Sequence, residues 1–197
     1  MAVRLGLVTG NRHKLEELSL VLRDYGVELY MLDTPKIEVQ SNSLEVIALG
    51  AARKAYSRTR VPLIVDDSGL FIEALRGFPG PYSSYVYKTI GVEGILRLLR
   101  GVPDRRACFH AVIAAIVPPY EKVFHARSCG FITESPRGAG GFGFDPIFAP
   151  EEGDGRTFAE MSIEEKNRYS HRAKAARMLG VWLREAFKRR VGSSKHL

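Results

Sequence analysis

An apolar run over residues 3–8 stops at Thr9-Gly10-Asn11, and Leu15, Leu18, Val21, Leu22 and Tyr25 then recur at helical spacing. A run of that length bounded by a turn reads as a buried strand, and Asn11 is a good helix N-cap. Glu16, Glu17, Arg23 and Asp24 fall on the other, polar face of the helix. A chain that opens strand, tight turn, helix is committed to helices layered on a sheet.

The alternation continues. Residues 27–32 read as a second strand, and residues 35–43 are irregular and polar. Asn42, with Glu45 three residues on, caps a helix running to about Thr59. Residues 62–65 form a third strand ending at Asp66-Asp67-Ser68-Gly69, and residues 70–75 are strand-like. Gly77-Phe78-Pro79-Gly80-Pro81 is a rigid turn. Helices follow from about Tyr82 and over residues 91–99. Residues 108–117 and 122–132 then form a hairpin around Pro118-Pro119-Tyr120. Ser162-Ile163-Glu164-Glu165 is a capping box, and Ser170 starts a last helix with Ala176, Leu179, Leu183, Ala186 and Phe187 on one face. Early alternation followed by paired strands gives an α/β fold with a mixed, twisted sheet, two lobes and a groove between them. Residues 1–187 form one domain, and residues 188–197 a basic tail.

No apolar run approaches the roughly 20 residues of a membrane helix, and the amino end lacks the layout of a signal peptide. A cytoplasmic protein is expected. Cys108 and Cys129 fit no zinc spacing and are expected as free thiols. The net charge of +7 is concentrated: the last ten residues hold four basic residues and no acid, leaving 25 basic against 22 acidic elsewhere. That balance suits an anionic ligand as well as nucleic acid.

Four stretches carry candidate chemistry. Thr9-Gly10-Asn11-Arg12-His13-Lys14 joins a strand end to a helix N-terminus, where free backbone N–H groups and the helix dipole favour a phosphate. Lys14, one turn in, can swing back to it; the segment is not a P-loop. Asp66-Asp67-Ser68-Gly69 places two acids at a strand end, which calls for a compensating cation such as Mg²⁺. Successive strand residues point opposite ways, so at most one of the two faces the site. Glu38 is a further candidate ligand. Gly140-Gly141-Phe142-Gly143-Phe144-Asp145-Pro146 sets two rings in a flexible loop on which a nucleobase can stack, and Asp145 can accept from ring N–H groups. Lys166, His171 and Arg172 cluster at a helix junction. Cations in the first turn of a helix oppose its dipole, so an anion or polar ligand is expected beside them.

Together these are the parts of a nucleotide site, and the chain resembles the inosine triphosphate pyrophosphatase family, also called non-canonical purine NTP pyrophosphatases. The resemblance runs in order along nearly the whole chain. It rests on residues 8–17, Val65-Asp66-Asp67-Ser68-Gly69-Leu70, Gly77-Phe78-Pro79-Gly80-Pro81-Tyr82-Ser83, residues 141–148, Thr157-Phe158-Ala159-Glu160-Met161 and Ser170-His171-Arg172. It implies an elongated two-lobed fold with a cleft, a homodimer, Mg²⁺, and hydrolysis of ITP, dITP and XTP between the α- and β-phosphates. By position, residues 9–14 bind the triphosphate, Asp67 is the catalytic, metal-linked carboxylate, and Ser68 touches substrate. Phe142, Gly143, Phe144 and Asp145 embrace the base; Lys166 reaches the substrate; His171 and Arg172 contact the base or its neighbours. The stretch around Glu38 departs in length and detail from members that place a metal-binding Glu there. Two alternatives stand beside this reading: a nucleotide pyrophosphatase of other base preference, of the septum-inhibitor type, and a nucleic-acid-binding module. The second is disfavoured by the acid pair and by basic residues unclustered outside the tail. Neither a membrane nor a specific nucleic acid is an expected partner.

Overall fold

The computed structural model describes the backbone of residues 3–193 and the side chains of residues 3–187. The side chains of the basic tail lie outside the described residues. Among the described residues, thirteen α-helices and β-strands follow in the order β1 (Val3–Leu7), α1 (Arg12–Leu22), β2 (Val27–Met31), α2 (Leu44–Thr59), β3 (Leu63–Ile72), β4 (Pro79–Gly80), α3 (Ser83–Thr89), α4 (Gly91–Leu98), β5 (Arg106–Val117), β6 (Tyr120–Ile132), β7 (Phe148–Pro150), α5 (Ile163–Tyr169) and α6 (His171–Ser193). The last helix therefore runs past the expected domain end at residue 187. Among the described residues no helix is long and apolar enough to cross a membrane.

The strands form one mixed sheet in the order β2-β1-β3-β5-β6-β7, with β4 on β3. The β1–β2 and β1–β3 pairs are parallel and the rest antiparallel. Side-chain alternation sorts the core. Ile64 joins Leu5, Leu7 and the apolar faces of α1 and α6 on one side, while Leu63 and Val65 join α2 on the other. Farther along β3, Leu70 and Ile72 pack with Ile95, Phe109, Phe144, Phe148 and Phe158 in a third cluster.

Three local expectations are corrected. The cap of α2 is Ser43, whose Oγ accepts from the Val46 amide at 3.3 Å, one residue after Asn42. The third strand does not end at the acids: β3 runs unbroken through Asp66-Asp67-Ser68-Gly69, all paired with β5. The cysteines are not free thiols. Cys108 and Cys129 stand opposite one another across the β5–β6 ladder, 4.0 Å apart at Cα, and form a disulfide.

Candidate active site

The turn after β1 and the N-terminus of α1 form one wall of a cleft of about 880 Å³. Asn11 caps the helix, accepting from the His13 amide at 2.9 Å. Thr9, Gly10, Asn11 and Lys14 face the cleft from there; Asp67 and Ser68 face it from β3, Glu38 from the irregular segment before α2, Phe142, Gly143, Phe144 and Asp145 from the glycine-rich loop, and His171 and Arg172 from the start of α6. Arg12 and His13 are exposed and Lys166 is buried behind the wall, so these three do not line the space. His13 instead stacks on Phe142, with ring centroids 5.5 Å apart.

Pleating separates the acid pair as expected. Asp66, on the Ile64 face, is 2% exposed. Its Oδ2 accepts from Arg172 Nε at 3.1 Å and pairs with Lys14 Nζ at 2.8 Å. Burial alone would raise its pKa, but Arg172 and Lys14 outweigh burial and hold it far below the carboxylate range. Asp67, on the opposite face, borders the cleft. Burial pushes its pKa up, and Lys36 and Lys14 offset that only in part. Its Oδ2 is buried and accepts no hydrogen bond, whereas Oδ1 receives Lys36 Nζ at 3.4 Å.

The junction cations do have anions beside them, but the anions belong to the chain. Glu17, expected on the solvent face of α1, is 3% exposed. Its carboxylate accepts from Lys166 Nζ and from Arg172 Nη1, each at 2.5 Å. Lys166 also binds Asp145 at 2.6 Å, and Arg172 Nη2 donates to Ser68 Oγ at 2.9 Å. A buried ionic chain results, Asp145–Lys166–Glu17–Arg172–Asp66–Lys14, with acids and bases equal in number. Such a chain is tolerable inside a protein because each charge is both paired and hydrogen-bonded. Four expectations change with it. Lys14 is moored to Asp66 rather than free. Lys166 is a buried strut. Asp145 is occupied by Lys166 and by the Phe142 amide at 2.9 Å, so it shapes the loop. The fourth concerns His171, which is no cation. Burial first, then Arg172 and Lys166, drives its pKa well below 6.5, and the neutral ring lies flat on Phe109 at 4.7 Å.

The aromatic loop splits its rings. Phe142 is half-buried beneath His13, with Lys166 and Arg172 at 4.9 and 5.3 Å from its centroid. Phe144 is buried in the third apolar cluster and meets Tyr87 of α3 edge-on at 5.5 Å. The sequence reading missed Lys36, Phe109 and the wall formed by Tyr82 with Ser83, Tyr87 and Lys88 of α3, and behind the cleft it missed Glu17. Among the described residues no group of three His, Cys, Asp or Glu side chains is arranged to hold a metal. Besides Asp145, which is taken up by Lys166, the described carboxylates that reach the cleft are Asp67 and Glu38, with Lys36 Nζ between them.

The sequence model of the Ham1 family matches residues 5–182. The dITP/XTP pyrophosphatase of Hyperthermus butylicus is 52% identical over 179 residues, covering 91% of this chain and 94% of that one. The protein of the same name from Thermococcus kodakarensis is 50% identical over 186 residues, covering 94% and 100%. The structure of a HAM1 protein from Coxiella burnetii superposes with a TM-score of 0.80 at 34% identity, over 93% of this chain and 99% of that one. A nucleoside-triphosphatase, dITP/XTP pyrophosphatase, from Mycobacterium abscessus gives 0.68 at 35% identity, over 90% and 98%.

Proposed function

We infer that this chain, which belongs to the Ham1 family, hydrolyses ITP, dITP and XTP to the monophosphate and pyrophosphate. One observation carries the reading. Lys14, Asp67, Phe144 and Arg172, far apart in sequence, line a single cleft, with a helix N-terminus at one wall and aromatic faces at another. That is a place for a polyphosphate and a flat base.

The residues fit a divalent metal. Asp67 Oδ2 is a buried carboxylate oxygen with no hydrogen-bond partner, and Glu38 lies on the far side of the same lysine. Both are the hard oxygen donors that Mg²⁺ takes. Asp67 and Glu38 would hold the ion, which would supply positive charge against the phosphate oxygens. The chain supplies the rest. Amides at the start of α1 hold the triphosphate in line, and Lys14, while moored to Asp66, lends its positive charge from the cleft wall. Asp67, the acid of the pair that borders the cleft, takes the proton of the attacking water. Asp66 cannot, since Arg172 and Lys14 keep it ionised and occupied. The water attacks the α-phosphorus and pyrophosphate leaves.

Three of the five N–H groups of Arg172 bind Glu17, Asp66 and Ser68. The remaining donors support selectivity for a purine carrying oxygen at C6, because adenine would present a donor to a donor. Guanine shares that oxygen and is rejected through its C2 amine. We extend the reading to a homodimer, supported by the exposed Phe78, Tyr82, Tyr85 and Ile90 around α3; a monomeric mass by light scattering at micromolar concentration would end that part.

The test is pyrophosphate release from ITP, dITP, XTP, ATP, GTP, dTTP and UTP, with and without Mg²⁺. Preference for the first three and loss of turnover without metal are expected. Equal rates on all purines would sink the base pocket, preference for dTTP or UTP would favour the septum-inhibitor type, and DNA binding without pyrophosphate release would favour the nucleic-acid module.

A further inference from the structure

We propose that Lys36 is a resident counter-cation: it holds Asp67 and Glu38 together until a divalent ion takes its place, then turns to the triphosphate. The proposal rests on the reading of the cleft given above. Lys36 lies in the irregular segment between β2 and α2, outside any helix or strand. Its Nζ pairs with Glu38 and donates to Asp67 Oδ1 at 3.4 Å and to the Asp66 carbonyl at 3.2 Å. An ammonium has three N–H donors, and all three are spent on oxygens: two carboxylates and a main-chain carbonyl. Those are the donors a hard divalent cation requires. Two like charges cannot share them at such separations without strong repulsion, so entry of the ion must move Nζ away.

The displaced ammonium has somewhere to go. Lys36 borders the cleft together with Lys14 and the turn at Thr9, Gly10 and Asn11, where an anion is expected. A lysine is suited to the exchange, being a point charge on a long flexible stem. The same side chain then opposes metal binding in the empty protein and favours nucleotide binding in the loaded one.

Removing its charge therefore has effects of opposite sign. In Lys36→Met, titration calorimetry of the nucleotide-free protein with Mg²⁺ alone should show affinity tightened about tenfold or more over the natural chain. KM for ITP should rise in the same variant, with kcat changing less. Lys36→Arg, which keeps the charge, should leave Mg²⁺ affinity near the natural value. Melting curves without metal verify that both variants are folded. Equal Mg²⁺ affinity in Lys36→Met and the natural chain overturns the proposal, as does tightening in Lys36→Arg to the same degree. Failure of the underlying reading looks different: Asp67→Asn would bind Mg²⁺ as well as the natural chain, or none of the proteins would bind it.

Discussion

Replacing Glu17 by Gln probes the centre of the buried ionic chain with little change of volume. In the natural chain each carboxylate oxygen accepts one charge-assisted bond of 2.5 Å, from Lys166 or Arg172, and those cations are 3% and 2% exposed. The amide keeps one acceptor and turns its NH₂ toward a cation. It also leaves three bases against two acids in the chain from Asp145 to Lys14. Removing one partner of a buried pair costs about 3–5 kcal/mol. For a domain of this size that is a fall in Tm of roughly 6–20 °C, at about 2–4 °C per kcal/mol. Urea unfolding at pH 7 should show the midpoint shift with an unchanged slope. Glu16→Gln is the control; Glu16 is exposed, and its change should stay within about 0.5 kcal/mol. The difference should also depend on pH. Burial pushes the Glu17 pKa up, but Arg172 and Lys166 carry it below 4.5. A carboxyl depressed on folding stabilises fully above its ordinary pKa and loses that contribution as pH falls through the folded value. The gap between natural chain and variant should therefore close in acid. A cost under about 1 kcal/mol at pH 7 would refute the claim that Glu17 neutralises the cations.

Asp66→Asn and Asp67→Asn should fail in different ways. The first strips Lys14 and Arg172 of a buried partner and should lower stability by about 3–5 kcal/mol in denaturant melts. The second should leave the melt within about 1 kcal/mol while cutting kcat more than tenfold, about 1.4 kcal/mol of barrier; a smaller loss would deny Asp67 an essential role. In Gly69→Ala the new Cβ collides with the Gly80 carbonyl, where β4 meets β3. That overpacking should cost about 1–3 kcal/mol and raise KM by displacing Pro81 and Tyr82; wild-type values for both would refute the close approach.

Periodicity made most of the fold legible. The strand–turn–helix opening, the hairpin and the capping box at Ser162 all stand where the sequence placed them. β4 and β7, at two and three residues, are too short to carry a period, and the acids of β3 hid a strand that is buried on both faces. Glu17 looked solvated beside Glu16, yet it precedes Val21 by one helical turn and flanks the apolar stripe. Its role shows only once Lys166 and Arg172 are known to be buried and to need an acid. The disulfide had a signal that was passed over: a turn at Pro118-Pro119 that sets Val117 opposite Tyr120 sets Cys108 opposite Cys129. Of the site, the residue types and the four segments were legible from strand ends and loops. Which cations face the cleft and which face acids depends on tertiary register, which no local pattern encodes.

The partners of Glu17 lie 149 and 155 positions downstream. Synthesis runs from the amino end, so a growing chain carries a lone acid on a helix flank destined for the interior until almost all of it has been made. Docking that flank earlier would bury an unneutralised charge. Completion of the pocket therefore needs residues 166 and 172 as well as residue 17, and a polypeptide cut short before Lys166 has no means of completing it.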